Sequence, residues 1–344
     1  MERNNLIKEG VVVAVILLFV SVSAEITTGT NVLIEKSSMP IPNSNILYVG
    51  GNGTGNYSKI QDAIDNASDG NTVFVYDDSS PYYENLNVSK SINLIGEDRD
   101  TTVINGSGSE IVVNIFADGV IVSGFTIVSY KIINTTTNLL NIQSDYTIIA
   151  NNIFNENTSN GINIYDGEYN TIFANTIICN SGIVLYRGKN NNISGNIIKD
   201  CIAGIVLVWY SNNNSIFGNT LTNNMLGIKT GSYCINDVIS LNNISYNFYG
   251  IIAMNCFNYK ITKNNFIDNL LNARFAYSLI EAFAFGFEYK ALRDIRSTIN
   301  WDGNYWNKPR SFPKPILGRL PPSGYIPWVQ FDWHPAQEPN DIGG

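Results

Sequence analysis

The sequence predicts an all-β protein, a single-stranded right-handed parallel β-helix of about nine to eleven coils with an N-terminal capping helix and a Pro/Trp-rich C-terminal tail. Three observations carry this expectation. Two separate landmarks recur with a period near 22 residues. One is an Asn followed two places later by an apolar residue, at Asn151/Ile153, Asn175/Ile177, Asn196/Ile198, Asn219/Leu221, Asn242/Ile244 and Asn264/Phe266. The other is a Gly opening an alternating strand, at Gly161, Gly182, Gly204, Gly227 and Gly250. Each repeat is too short for a strand–helix–strand unit and lacks a 3.6-residue pattern, but it suits three short strands joined by tight turns. Composition agrees: Asn supplies about one residue in seven, 44% of residues are apolar and only 15% are charged. Asn tolerates the left-handed turn conformation, and stacked Asn side chains can pair from one coil to the next.

The same composition excludes a charged coiled coil and a disordered chain. With 21 basic against 29 acidic residues the net charge is −8, the wrong sign for a nucleic-acid surface.

Residues 1–24 read as a secretory signal peptide, with Arg3 and Lys8, an apolar run over 11–20, and small residues ending Val22-Ser23-Ala24. The run is shorter than the roughly 20 residues that span a bilayer, which favours cleavage over a permanent anchor. The mature chain is expected outside the cytoplasm, secreted or cell-surface associated, touching membrane only through an uncleaved N-terminal segment. Ten Asn-x-Ser/Thr triplets, from Asn52 to Asn243, fit an exported glycoprotein, although an Asn- and Ser-rich chain also forms them by chance.

Residues 25–45 read as a linker and residues 46–300 as the β-helix. In its first part, Ser58 caps a helix that places Ile60, Ala63, Ile64 and Ala67 on one face, suited to cover the open end of the first coil. Strands follow at 72–76, 86–88, 91–95 and 102–104. In the repeats, alternation sends Ile162, Ile183, Ile205, Ile228 and Ile251 inward as one column. Residues 301–344 form the tail, where Trp306, Phe312, Trp328, Phe331 and Trp333 interleave with prolines. Such a segment cannot be a regular helix or central strand and should pack extended on the β-helix body.

The stretch Ile60-Gln61-x-Ala63-Ile64, the run from Tyr83 through Leu86, Val88, Lys90 and Ile92 to Gly96, and the closing Trp301-Asp302-Gly303-Asn304-Tyr305-Trp306 resemble β-helix proteins of the pectin-lyase-like superfamily. More narrowly, they resemble the NosD-like, carbohydrate-binding-and-sugar-hydrolase group of archaeal exported proteins. The resemblance covers residues 46–306, and its motifs specify fold better than activity. It implies a carbohydrate or cell-envelope partner and, through NosD, a connection to copper-site maturation. The insertion 278–296, with Phe283, Phe285, Phe287 and Tyr289, departs from that group's compact ending.

Carbohydrate-active β-helices use carboxylates, a Lys or Arg base, or a His on stacked strands. The single His, His334, lies outside the repeats, and the column holding Asp166 continues as Arg187, Trp209, Ser232 and Asn255. No lyase, hydrolase or esterase motif is recognisable, and neither catalytic residues nor a cofactor are assigned. Copper calls for clustered His, Met or Cys, which one His and four scattered Met do not supply, so no metal site is assigned. Cys179 and Cys201, and likewise Cys234 and Cys256, lie 22 residues apart and should stack on adjacent coils. Disulfides and packed free thiols both satisfy that spacing, with a two-Cys metal site a more distant reading.

The outward face after each Gly carries Asn163/Tyr165, Val184/Tyr186, Val206/Val208, Lys229/Gly231 and Ile252/Met254. Tyr165, Asp166, Tyr186, Arg187, Trp209 and Tyr210, with Lys229 beside them, are the candidate ligand-binding residues. Either they form a sugar platform or the tail covers them. The functional expectation is an exported cell-envelope β-helix protein that binds carbohydrate or another envelope component without catalysis. A polysaccharide lyase or glycoside hydrolase with an unrecognised site, a structural surface protein and a NosD-like metal-delivery accessory are the alternatives.

Overall fold

The computed structural model describes residues 45–106, 110–129, 137–231, 233–277, 299–320 and 326–342. The expected signal peptide, the linker up to residue 44, the insertion 278–296 and the triplet at Asn134 lie outside the described residues. Among those described, no helix is long and apolar enough to cross a membrane.

The chain winds as a right-handed parallel β-solenoid of about ten turns. One sheet has eleven parallel strands in strict sequence order, from Ile46–Val49 through Thr171–Phe173 and Ser215–Phe217 to Ile299–Asp302. The other two strands of each coil build parallel ladders of their own. They fuse into single long strands at Ile153–Tyr165 and Thr176–Tyr186. Inside, Ile162, Ile183, Ile205, Ile228 and Ile251 stand in register as a fully buried column. A second column runs Phe154, Ile177, Ile198, Leu221, Ile244, Phe266 and Trp306, and a third runs Ile149, Ile172, Ile193, Ile216, Ile239 and Ile261. Apolar side chains from all three strands thus fill each layer of the core, the Gly-opened strands adding a second column at Ile164, Leu185 and Leu207. The recurrent Gly is dictated by coil contact: a Cβ at Gly161 would lie 2.6 Å from the carbonyl oxygen of Gly182, and the other four meet the next coil's carbonyl in the same way.

From Asn152 onward asparagine occupies one buried corner of each coil. The ladder runs Asn152, Asn175, Asn196, Asn219, Asn242, Asn264 and Asn304, so its first member is Asn152, with Phe154 in the core, rather than the expected Asn151 with Ile153. Asn151 instead takes the preceding left-handed position, with φ 53°. At each step the backbone N–H and Nδ2 of one Asn donate to Oδ1 of the next, as at Asn196 to Asn219 (3.0 and 2.9 Å). Nδ2 also donates to a core-strand carbonyl, Ile193 for Asn219 (2.9 Å). Every Asn-to-Asn bond donates toward the C-terminus, so the last member needs an acceptor only. Asp332 supplies it, accepting from Asn304 N (3.0 Å), Asn304 Nδ2 (3.1 Å) and Trp306 Nε1 (3.0 Å). A shorter ladder, Asn170, Asn191 and Asn214, ends the same way in buried Asp237.

The capping helix spans Ile60–Asn66 and buries Ile60, Ala63 and Ile64. At seven residues it could not persist alone. The expected Ser58 cap does not form, because Lys59 takes the cap position without a side-chain bond. The Glu84 carboxylate accepts from the Ile60 and Gln61 amides instead (2.8 and 3.0 Å). At the other end Lys90 Nζ donates to the carbonyls of Ile64 (3.3 Å), Asp65 (2.6 Å) and Ala67 (2.7 Å). An acid at the N-terminus and a base at the C-terminus both complement the helix dipole, and both come from the coil beneath.

Residues 301–306, read from sequence as the start of the tail, complete the last coil through Ile299–Asp302 and Tyr305–Trp306. Beyond them, Lys314–Leu320 and Ile326–Asp332 form an antiparallel hairpin. Its first strand pairs with Leu271–Ala276 only at Phe275 and Ala276, which lets Pro315 sit where no ladder N–H is required. The last described residues run back over the turns, where Asn340 N donates to Asn265 Oδ1 (2.7 Å).

Candidate functional site

The corner that follows the Gly-opened strands carries the expected ligand residues on adjacent coils. Tyr165 and Tyr186 are in register, half-buried, and stack with ring centroids 4.8 Å apart and planes at 2°. Val208 continues their column, and Trp209 closes on Tyr186 edge-to-face at 6.1 Å. Trp209 is 54% exposed, so the described tail leaves it open. One residue beyond the strands, Asp166 and Arg187 form a bidentate ion pair, Nη2 to Oδ2 at 2.7 Å. The Arg187 guanidinium holds the Asp166 carboxyl below the usual carboxylate range. Asp166 is therefore ionised and unsuited to act as a general acid. Burial, with Tyr186 beside it, pushes the Tyr165 hydroxyl upward.

Tyr210 behaves differently from its neighbour. It stacks on buried Tyr233 at 5.8 Å, away from the Tyr165–Tyr186 pair. Lys229 lies in the column Asn163, Val184, Val206, three coils from Asn163, and is not brought beside Asp166. Asn163 and Val184 are themselves buried, which confines the exposed surface to the Tyr column and the turn.

The structure adds residues that the sequence reading left out. Glu168 and Lys189 form a second ion pair (3.2 Å) two positions past the first. Next to it, Tyr146 and Tyr169 stack at 5.2 Å with planes at 6°, and are 60% and 49% exposed. Their 23-residue separation, one coil, was the available signal. Tyr146, Tyr169, Arg187 and Trp209 all hold positive φ, 56°, 58°, 55° and 52°. Later coils use Asn190, Asn213, Asn236 and Asn258 in the column of Tyr146 and Tyr169. A bulky residue there costs on the order of 1–2 kcal/mol that Asn largely avoids. The result is a strip of five rings and two ion pairs whose charges cancel, with the Asp145 carboxylate beside Tyr146 accepting from Glu168 N (2.7 Å). It can pack flat ring faces and offer polar groups at their edges.

The cysteines fall on adjacent coils. Cys179 N approaches Cys201 Sγ at 3.5 Å, and Cys234 and Cys256 flank the bridge Ile235↔Phe257. All four are buried free thiols. Burial pushes Cys201 up to about 11, Cys234 to about 12, and Cys179 and Cys256 higher still.

Fold comparison gives distant likenesses. A PL6 alginate lyase in complex with a trisaccharide superposes with TM-score 0.53 at 10% identity, over 83% of this chain and 66% of its own. The A-module of the Azotobacter vinelandii mannuronan C-5 epimerase AlgE6 gives 0.45 at 14%, over 72% and 81%. The Dettilon tailspike protein gives 0.49 at 14%, over 76% and 62%. At such identities the likeness shows the fold alone. No curated protein sequence matches the chain.

The sequence profile of a family described as periplasmic copper-binding protein (NosD) matches residues 64–233 and 209–311. Copper requires clustered soft or imidazole donors. Among the described residues no group of three His, Cys, Asp or Glu can hold a metal. The Cys pairs are buried and protonated, and His334 is engaged with Asp302 at 2.8 Å. The donor set does not fit copper, whereas the profile spans most of the coils, and on that match the chain belongs to the NosD family.

Proposed function

We propose that this is an extracytoplasmic cell-envelope protein that binds carbohydrate on the Tyr165–Tyr186–Trp209 strip without turning it over. The observation that carries the reading is the run of rings on adjacent coils: Tyr165 stacks on Tyr186, exposed Trp209 closes on Tyr186, and exposed Tyr146 and Tyr169 stack in left-handed turns where later coils carry Asn. The family's periplasmic description supports the location, and the lyase solved with a trisaccharide shares the scaffold. Because Asp166/Arg187 and Glu168/Lys189 cancel, on a chain of net charge −8, the ligand is a neutral glycan rather than a polyanion.

A glycan array with the purified protein, followed by product analysis on every polymer bound, tests this. Trp209→Ala should weaken binding by about 1 kcal/mol, roughly five-fold, with Tm nearly unchanged. Loss of stability with unchanged binding would assign the rings to packing, and product formation would make the protein an enzyme.

A further inference from the structure

The hairpin of Lys314–Leu320 and Ile326–Asp332 presents two unlike faces. Its inward face is anchored: Ile316 is buried, Gln330 Oε1 accepts from Trp301 Nε1 (2.8 Å), and the Asp332 carboxylate accepts from Asn304 and Trp306. The antiparallel register sets Pro315 opposite Phe331, Leu317 opposite Val329 and Arg319 opposite Pro327 on the outward face. All of these outward residues are exposed, Leu317 at 68%. Trp333 extends the row, 63% exposed with its ring 5.1 Å from that of Phe331. The cross-strand pairs join into one apolar face with a single charge, Arg319.

A contiguous exposed face of this kind marks an interaction site. Strands of seven residues, two abreast, give it about 240 Å². A stable protein interface takes about 800 Å² from each partner. A two-fold contact with a second copy would also set Arg319 against the same basic face. A lipid surface sets no such area requirement, because each Trp, Phe or Leu gains separately by entering the headgroup region. Charge points the same way. Residues 307–331 hold Lys308, Arg310, Lys314 and Arg319 and no acid, on a chain with 29 acids against 21 bases. Lys308 and Arg319 are exposed, which suits them to anionic headgroups.

We propose that the outward face of this hairpin docks the protein on an anionic lipid surface, with Leu317, Phe331 and Trp333 entering the headgroup region and Arg319 meeting lipid phosphates. The surface is separate from the aromatic strip and needs no glycan.

Quenching of tryptophan fluorescence in the full chain, by vesicles of phosphatidylglycerol and phosphatidylcholine carrying acyl-brominated lipid, tests it. Residues 1–24 hold no tryptophan, so any membrane contact of theirs is silent in this readout. The vesicles should quench, Trp333→Phe should remove most of the effect, and Trp209→Phe should leave it. Leu317→Asp/Phe331→Asp should cut the quenching at least five-fold with unchanged Tm, and so should vesicles of phosphatidylcholine alone. Absence of quenching, equal quenching by phosphatidylcholine, or full quenching in the folded Leu317→Asp/Phe331→Asp variant would overturn the proposal. So would shielding of Trp333 from acrylamide in the lipid-free chain, which would show the face already covered. A concentration-dependent dimer lost in the same double variant would assign the face to a second copy and overturn it too.

Discussion

Replacing Asn219 at the centre of the long ladder tests whether the asparagines hold the coils together. In Asn219→Ala the Asn196 N–H loses its acceptor at 3.0 Å and is left buried, which costs about 1–3 kcal/mol. The bonds from Asn219 Nδ2 to the Ile193 carbonyl (2.9 Å) and to Asn242 Oδ1 (3.0 Å) also go, at about 1 kcal/mol each. The expected loss is about 3–5 kcal/mol, read from the denaturation midpoint at constant slope. Asn219→Asp keeps the acceptor for Asn196 but turns a second oxygen toward the Ile193 and Phe217 carbonyls, 2.9 and 3.1 Å from the present Nδ2. Only a protonated carboxyl can donate there, so its native pKa must rise above the unfolded value. Stability of this variant should then fall as pH increases from 5 to 8, approaching that of Asn219→Ala at the upper end. A loss below 1 kcal/mol in Asn219→Ala, or a pH-independent Asn219→Asp, would refute the ladder's role.

At the end of the shorter ladder, burial pushes the Asp237 carboxyl up to about 7 despite bonds from Asn214 and Tyr259. Because the native form holds its proton more tightly than the unfolded chain, this group's contribution declines as pH rises from about 4 to 7. Asp237→Asn should flatten that slope and raise the midpoint at pH 8. Mass analysis after denaturation without reductant should find four thiols or the bridges Cys179–Cys201 and Cys234–Cys256. A Cys201–Cys234 bridge would contradict the coil register. Glu84→Gln should cost about 1 kcal/mol and speed hydrogen exchange at Ile60 and Gln61, and unchanged exchange would remove Glu84 as the helix cap.

The repeat was legible because coil stacking imposes the same demand every 22 or so residues, and the Gly and Asn landmarks answer it independently. The one-residue error at Asn151 arose where two asparagines adjoin, since spacing cannot tell the ladder position from the left-handed turn before it. The helix cap was illegible because its acceptor, Glu84, lies 24 residues downstream and becomes a neighbour only through winding. Tyr165 and Tyr186 followed from strand alternation, whereas Tyr146 and Tyr169 sit in a turn with no landmark to fix their phase. The hairpin escaped because proline density suggests an unpaired chain, yet a strand that overlaps its neighbour at two positions leaves prolines elsewhere unopposed.

In such a solenoid the fold prescribes residue type at nearly every position of the coil, so departures from the prescription carry information that conserved pattern does not. Asn is the relaxed choice in the left-handed turn column, and the chain uses it at Asn190, Asn213, Asn236 and Asn258. Placing Tyr at 146 and 169 and Trp at 209 in such turns gains nothing for the core, since all three rings are largely exposed. Stacking of Tyr146 on Tyr169 and of Trp209 on Tyr186 returns part of that backbone cost within the fold, and the proposed ligand would supply the rest. The charges of the strip follow the prescription: Arg187 and Lys189 each face a carboxylate one coil away and need no external partner.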